Sequence, residues 1–391
     1  MIKIGTLTYH RSHNYGSVLQ AYALEKVLNS FANVDCEIID YYPPNYKLLY
    51  SVFVKNNSLR NILRNLYVAL HYKQRRDRYN DFCEFQKRYK LSNNSYNERI
   101  ELLDELDNLY DVIVCGSDQI WCSDAPDFSM AYFMPRLKKV KKISYAPSMG
   151  YGEFKNTKYE KPVKDALSEF SAVSVRENDG AEKIKALMGE NFDVNVVLDP
   201  TFLMPVNEYD DLCAKRVVNE DYIFFYSVGF REQNAQIMKY VSEKLGLPVY
   251  TLSTSSSSIK YKKYGIKFAD NNSPEAFLSL IKNAKLVFSS SFHGNVFSII
   301  FRKNFFSLYT VEKGERVDDP RLNTLVEKFG LLNTELDINN YKSVDYNRKI
   351  NYNEDVIMEK IEESRKYLKD AISIWWWCYE NRLSFWRQWN S

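Results

Sequence analysis

The sequence predicts two doubly wound α/β domains, and three observations carry that reading. Strand-like and helix-like stretches alternate in both halves of the chain. Strands such as the one in "YDVIVCGSDQIW" are apolar without a break before a polar turn, which suits a parallel sheet covered on both faces. The chain of 391 residues is also longer than one ordinary core serves. The expected division is a first domain over 1–200 with a basic helical insertion at about 50–95, a second over 201–345, and a C-terminal helix with an aromatic tail over 346–391 that packs back on the first domain.

Residues 2–8 read as a strand. "LTYHRSHNYGSVLQAYAL", 7–24, then holds a polar turn with His10, Arg11, His13 and Asn14, and half of the four histidines. A helix over 15–31 follows, with Ala21, Leu24, Leu28 and Phe31 on one face. The strand "CEIID" ends at Asp40, and "YYPPNY" breaks the chain. A basic helical stretch runs to about residue 92. After "YDVIVCGSDQIW" come the strands in "KKISYAPSMG" and "FSAVSVREN", a helix from near Asn178, and "VNVVLDPTFL". The second half restarts with "YIFFYSVGF", a helix over 232–246, "PVYTLS", a helix over 274–283, "KLVFSS", "SFHGNVFSII" and "KNFFSLYT". "STSSSS", 253–258, reads as a mobile loop.

Composition narrows the function. The apolar fraction, 45%, is that of a globular protein, and a net charge of +3 argues against a general nucleic-acid role. Charge is uneven: Lys55, Arg60, Arg64, Lys73, Arg75, Arg76, Arg78, Lys87, Arg88 and Lys90 crowd one stretch. That run reads either as solvated helix faces or as a surface for an anionic membrane or substrate. The six cysteines form no CxxC pair and no ladder with histidine, so free thiols in a reducing compartment are expected. "MIKIGTLTY" has no signal-peptide pattern and no run is apolar enough to span a bilayer, so the expected location is the cytoplasm.

In doubly wound folds the loops at the carboxyl ends of the strands converge on the ligand. The first such loop carries the two histidines, ahead of a helix N-terminus suited to an anion. "GSDQIW" offers Ser117, Asp118 and Gln119, with Asp118 either a base or an N-cap. "SYAPSMG" offers Ser148. "SVREN" offers Arg176 after a buried strand, where a guanidinium is costly unless it meets an anion or an acid such as Glu177. "SSSFHGN" offers Ser289 to Ser291, His293 and Gly294 at a strand-to-helix junction, an anion pocket with an acid/base residue. Walker, G-x-G-x-x-G and G-x-S-x-G motifs and metal-binding ladders are missing. Transfer chemistry on anionic and hydroxylated ligands remains.

"HNYGSVLQAYAL", "VCGSDQIW", "ISYAPSMG", "VSVREN", "VLDPTF" and "SFHGNVFSIIF" occur in that order over about residues 2–332. Together they resemble the polysaccharide pyruvyl transferase family. The resemblance implies a GT-B-like fold, two Rossmann-like domains facing a cleft. It implies transfer of the enolpyruvyl unit of phosphoenolpyruvate onto two hydroxyls of one sugar, giving a cyclic ketal and phosphate. The partners implied are phosphoenolpyruvate as donor and a lipid-linked oligosaccharide or polysaccharide as acceptor. No cofactor, no metal and no nucleic acid is implied, and a peripheral contact at the inner face of the membrane fits such an acceptor. On this reading His293, Asp118 and His13 are catalytic. Arg176, Ser290, Ser291, Gly294 and Arg321 bind the donor, and His10, Asn14, Tyr15, Gln119 and Trp121 the acceptor. Many relatives have a basic residue two positions before the histidine, where this chain has Ser291. That donor contact then falls to Arg302, Lys313 or Arg321.

Two other readings compete. A GT-B glycosyltransferase would use a nucleotide sugar, with Glu312 or Glu315 on the ribose. An inactive partner of a capsule assembly complex would not need the intact His293 and Arg176 loops. Finally, "AISIWWWCYENRLSFWRQWNS", 371–391, holds five of six tryptophans. As a helix it gathers Trp375, Trp376, Tyr379, Leu383 and Trp386 on one face, either for packing or, with Arg382 and Arg387, as an interfacial anchor.

Overall fold

The computed structural model describes the backbone of all residues except 45–48, 50–52, 71, 98–99, 228, 254–255, 313–314 and 390–391. Side chains within helices and strands are likewise outside the description at 67, 70, 74–75, 97, 100–102, 256–258, 310–312, 315 and 374–389.

Five parallel strands build the first sheet: β1 (Ile2–Leu7), β2 (Val34–Tyr42), β3 (Leu91–Asn97), β4 (Val112–Cys115) and β5 (Lys141–Ser144), in the order β3-β2-β1-β4-β5. All four side chains of β4 are buried, as its unbroken apolar sequence requires of a central parallel strand. Helix α1 (Tyr15–Asn29) joins β1 to β2, and α2 (Leu59–Leu70) and α3 (Tyr72–Gln86) fill the crossover to β3. After β5 come α4 (Glu160–Leu167), β6 (Ser174–Val175), α5 (Asn178–Met188) and β7 (Asn195–Val196); β6 and β7 pair in parallel.

The second half repeats the plan. Helix α6 (Val206–Leu212) leads into β8 (Ile223–Tyr226), α7 (Glu232–Leu245), β9 (Val249–Thr251), β10 (Lys267–Phe268), α8 (Pro274–Asn283), β11 (Leu286–Ser289), α9 (Phe292–Ile300) and β12 (Phe305–Ser307). Its sheet order is β10-β9-β8-β11-β12, again parallel throughout. A hairpin of β13 (Thr310–Glu312) and β14 (Glu315–Val317) and helix α10 (Pro320–Lys328) follow. The stretch expected as a loop around 253–258 instead enters a 3-10 segment over Ser256–Tyr264.

Helix α11 (Glu354–Trp389) returns to the first sheet. Lys141 Nζ donates to the carbonyl of Ala371 at 2.6 Å, Tyr367 Oη to that of Ser144 at 3.1 Å, and the Leu198 amide to Ser364 Oγ at 3.0 Å. The side chains of its aromatic end, and with them both readings of the tail, lie outside the described residues.

One apolar cluster runs from Ile4 and Val112 through Val18 and Leu19 of α1 to Phe277, Val296 and Phe297 of the second half and Leu368 of α11. The halves therefore meet over a packed layer. Chain order reverses direction between β1 and β4 in one sheet and between β8 and β11 in the other. At such points the flanking loops diverge and leave a crevice. The crevice falls at the loops after β1, β4, β8 and β11.

Candidate active site

Asp199 organises the crevice. It follows β7 in "VLDPTF", where a proline fixes the start of a turn and the aspartate caps it. Its Oδ1 accepts from the amide and hydroxyl of Thr201 at 3.1 and 2.7 Å. Its Oδ2 faces groups from three loops: Nη1 of Arg176 at 2.7 Å, Oγ of Ser117 at 3.4 Å and Nε2 of His293 at 3.4 Å. Burial alone would push this carboxyl up. His293, Arg176 and Thr201 outweigh that and hold it well below the usual carboxylate range, so it stays ionised.

Arg176 leaves β6 straight into this cluster, with its side chain 2% exposed. Phe292 lies under the guanidinium, the ring centroid 4.1 Å from Cζ. Among the described residues only Nη1 is hydrogen-bonded; Nε and Nη2 are buried without a partner there. The Glu177 carboxylate comes to 4.0 Å of Nε, short of a hydrogen bond. Burial pushes the Glu177 carboxyl up against the pull of Arg176. Its Oε1 accepts from the amides of Met149 and Gly150 at 2.7 and 3.3 Å, which fixes the loop after β5. Buried guanidinium donors without acceptors cost about 1–3 kcal/mol or more each, so their retention points to a ligand.

His293 opens α9, which Ser291 caps without a side-chain hydrogen bond. The imidazole lies across from α1 of the other half. A Cβ on Gly16 would stand 1.9 Å from its Nδ1. Its Nε2 is buried and faces Asp199 Oδ2 at 3.4 Å, with no well-aligned hydrogen bond among the described residues. The site thus holds two unmet donor nitrogens of one guanidinium, and an imidazole nitrogen 3.4 Å from the same ionised carboxylate. That arrangement can take a small anion and move a proton beside it.

The remaining expectations divide. Ser290 and Ser291 flank the site: Ser290 Oγ donates to Ser227 Oγ at 3.1 Å, and the Ser291 amide donates to Ser289 Oγ at 3.0 Å. Gly294 is needed for packing, because a Cβ there would meet Ser289 Oγ at 2.0 Å. Arg321 makes a two-point pair with Asp319, 2.9 and 2.6 Å, and its charge reaches Glu177. Of the three basic residues expected to replace the one missing at Ser291, Arg321 is at the site. Arg302 is turned to Glu354 at 2.7 and 2.6 Å, and Lys313 lies outside the described residues. The side chains of Glu312 and Glu315 lie outside them as well.

The opening loop and the loop after β4 correct several expectations. Tyr15 and Trp121, expected on the acceptor, are fully buried, Tyr15 stacked on Phe277 at 4.9 Å and Trp121 on Phe133 at 4.9 Å. His10 is 1% exposed and bonded to Asp40 at 3.0 Å and to the Thr8 carbonyl at 3.2 Å, which holds the turn closed. Asn14 caps α1, accepting from Gly16 and Ser17, so those amides are not free for an anion. The His13 ring packs on Tyr79 and Phe82 of α3, centroids 4.8 and 5.5 Å away, rather than joining His293. Asp118 is 8% exposed beside Tyr9 and Asp127, its Oδ1 bound to the Gln119 amide at 2.8 Å; its neighbour Ser117 is the one that reaches Asp199. Gln119 abuts Gly150, where a Cβ would come within 2.6 Å of Nε2. Asp199 was not singled out from the sequence: an aspartate before proline reads first as a turn residue.

Next to the cluster, the N-termini of α5 and α10 flank a groove of about 420 Å³ lined by Tyr151, Asn178, Asp179, Lys183 and Asn323 among others. The amide of Asn178 donates to Thr324 Oγ1 at 3.1 Å and ties the two helices together.

The family model for polysaccharide pyruvyl transferase matches residues 14–310. No curated protein matches the sequence. The fold is similar to that of UDP-GlcNAc 2-epimerase from Methanocaldococcus jannaschii, with a TM-score of 0.53, 13% identity, and 90% of this chain and 95% of that one covered. The same enzyme in complex with UDP-GlcNAc and UDP gives 0.50, 15%, 90% and 95%. At such identities the likeness shows the fold, two Rossmann-like halves of the GT-B kind, and nothing of the substrate.

Proposed function

This chain belongs to the polysaccharide pyruvyl transferase family, and we propose that it moves the enolpyruvyl unit of phosphoenolpyruvate onto two hydroxyls of a sugar in a lipid-linked repeat unit. The observation that carries the reading is the buried pair Arg176 and His293, joined through Asp199, with two guanidinium nitrogens of Arg176 left without an acceptor among the described residues. Phosphoenolpyruvate has a phosphate and a carboxylate close together. Arg176 can offer Nε and Nη2 to one of them in the two-point geometry a guanidinium favours. The N-terminus of α9 adds its positive end.

The chemistry follows from those roles. His293 donates a proton to the terminal methylene, which becomes a methyl group and leaves an oxocarbenium-like carbon. One sugar hydroxyl adds to that carbon, and its proton restores His293. The second hydroxyl then forms the other C–O bond as the phosphate C–O bond breaks, and its proton leaves on the phosphate. Arg176 stabilises charge on the departing phosphate. The groove beside Tyr151 and Asn178 is the acceptor's place in this scheme. Because Arg176 and His293 are nearly sealed, the loops part to admit the donor and close over it.

The test is incubation with phosphoenolpyruvate and a lipid-linked oligosaccharide. The expected result is an acceptor heavier by one pyruvyl ketal and one phosphate released per ketal. Turnover with a nucleotide sugar and none with phosphoenolpyruvate would make the protein a glycosyltransferase. Turnover with neither would favour the inactive-partner reading.

A further inference from the structure

We infer that α2 is an interfacial helix that seats the protein on an anionic membrane surface. Leu59, Ile62, Leu63 and Leu66 are 74%, 40%, 58% and 59% exposed. Their spacing puts them on one stripe of the helix. Val68, on the opposite side, is fully buried. The helix therefore packs through its other face and turns its apolar stripe outward, the reverse of a solvated surface helix. The neighbouring chain extends the patch. Asn65 ties residue 54 to α2, accepting from the Val54 amide at 3.1 Å and donating to the Val54 carbonyl at 2.6 Å. Next to it Phe53, 46% exposed, stacks on Tyr72, 41% exposed, with centroids 5.7 Å apart.

Charge identifies the occupant. Between residues 41 and 76 the sequence has seven Lys or Arg and no Asp or Glu. Lys55, Arg60, Lys73 and Arg76 are exposed, and Arg76 lies over the Tyr72 ring at 5.8 Å. An apolar stripe bounded by cations and by an aromatic pair matches the boundary between acyl chains and anionic headgroups. A second copy of the chain would bring the same cations against these, so self-association is disfavoured. Among the described residues no helix is long and apolar enough to cross a membrane, so α2 lies on the surface.

The experiment is co-sedimentation of the full chain with vesicles of phosphatidylcholine alone or with phosphatidylglycerol. The wild type is expected to bind the phosphatidylglycerol vesicles and to release as salt is raised. Leu63→Asp with Leu66→Asp should lower partitioning about tenfold or more, because a carboxylate is expensive at the acyl boundary. Arg60→Glu with Lys73→Glu should lower it on the anionic vesicles. These side chains are exposed, so the melting temperature should hold; if the Asp pair unfolds the protein, Leu63→Ser with Leu66→Ser replaces it. The inference is overturned if the wild type does not bind, if it binds neutral vesicles equally well, or if the leucine variants bind as the wild type does. It is also overturned if only removal of residues 374–391 abolishes binding, or if the leucine changes instead dissolve a dimer seen by light scattering.

Discussion

Gly16 and His293 are in contact across the two halves of the protein: a Cβ on Gly16 would stand 1.9 Å from Nδ1, 2.3 Å from Cγ and 2.5 Å from Cε1 of the imidazole. The ring occupies the space that any larger residue in the "NYG" turn would need. The glycine is thus how the first half sets the position of a group carried by the second. Gly16→Ala should displace the ring, cost about 1–3 kcal/mol of stability by overpacking, and lower turnover about tenfold or more by moving the acid. An alanine variant with unchanged melting temperature and turnover would show that the ring moves aside freely.

Arg176→Ala should lower turnover by about two orders of magnitude or more, the scale of lost electrostatic catalysis. It should also destabilise the fold, because Asp199 Oδ2 would lose its 2.7 Å partner while remaining buried. Removing one member of a buried pair costs about 3–5 kcal/mol. Arg176→Lys keeps the charge but not the fork, so it should recover stability and little activity. Equal recovery of both by lysine would remove the two-point contact from the mechanism.

His293→Ala should cost a similar factor in turnover with a smaller loss of stability, since Nε2 stands 3.4 Å from Asp199 where Arg176 stands at 2.7 Å. A variant with near-normal rate on phosphoenolpyruvate would take His293 out of the proton transfer.

Asp199→Asn tests the hub through acid stability. The native carboxyl is held below its unfolded value, so its ionisation contributes stability that is present above the ordinary carboxylate value and lost as pH falls toward the native one. Chemical denaturation of the wild type should therefore show stability falling below about pH 4. The asparagine variant should be less stable at neutral pH and should show a shallower fall. Parallel curves for the two proteins would place the ionisation of Asp199 outside the stability of the site.

The architecture was legible because its signals are local. Unbroken apolar runs such as β4 and β8 are entirely buried, which leaves parallel strands as the economical reading. Arg176 and His293 were legible for a related reason: a charge after a buried strand and an imidazole at a helix start each call for a partner. The partner was not legible. Asp199 lies 23 residues from Arg176 and reaches His293 only through the meeting of two domains. The packing of Tyr15 and Trp121 and the His10–Asp40 bond were not legible, because a loop at a strand's carboxyl end carries both its own packing and the chemistry. Sequence position does not separate the two, and neither does burial alone, since Arg176 and His293 are buried as well; the guanidinium nitrogens left without acceptors mark the site. The cations around α2 were legible as a surface for an anionic membrane or substrate, whereas its outward apolar stripe was not, since a leucine pattern at helical spacing reads first as a core face.

His13 gives the protein a second acid-sensitive element, away from Asp199. Burial, and then the nearby Arg78, push its imidazole down to about 4 from an ordinary value near 6.5. The ring sits between Tyr79 and Phe82 of α3, and the Arg78 guanidinium donates to the His13 carbonyl at 2.9 Å, so the basic insertion is docked on this turn. Above pH 6.5 the imidazole is neutral in both folded and unfolded chains and contributes no slope. As pH falls below 6.5 the unfolded chain takes up a proton that the native chain resists, so stability declines until the native group titrates near 4. The loss over that window is on the order of 3 kcal/mol at most. His13→Gln should remove this part of the slope while leaving the carboxylate-driven loss below pH 4. Because the docked surface belongs to α3, limited proteolysis of the wild type should cut first within the insertion as pH drops through the window. Stability curves for wild type and glutamine variant that run parallel from pH 6.5 to 4 would assign the acid sensitivity to other groups.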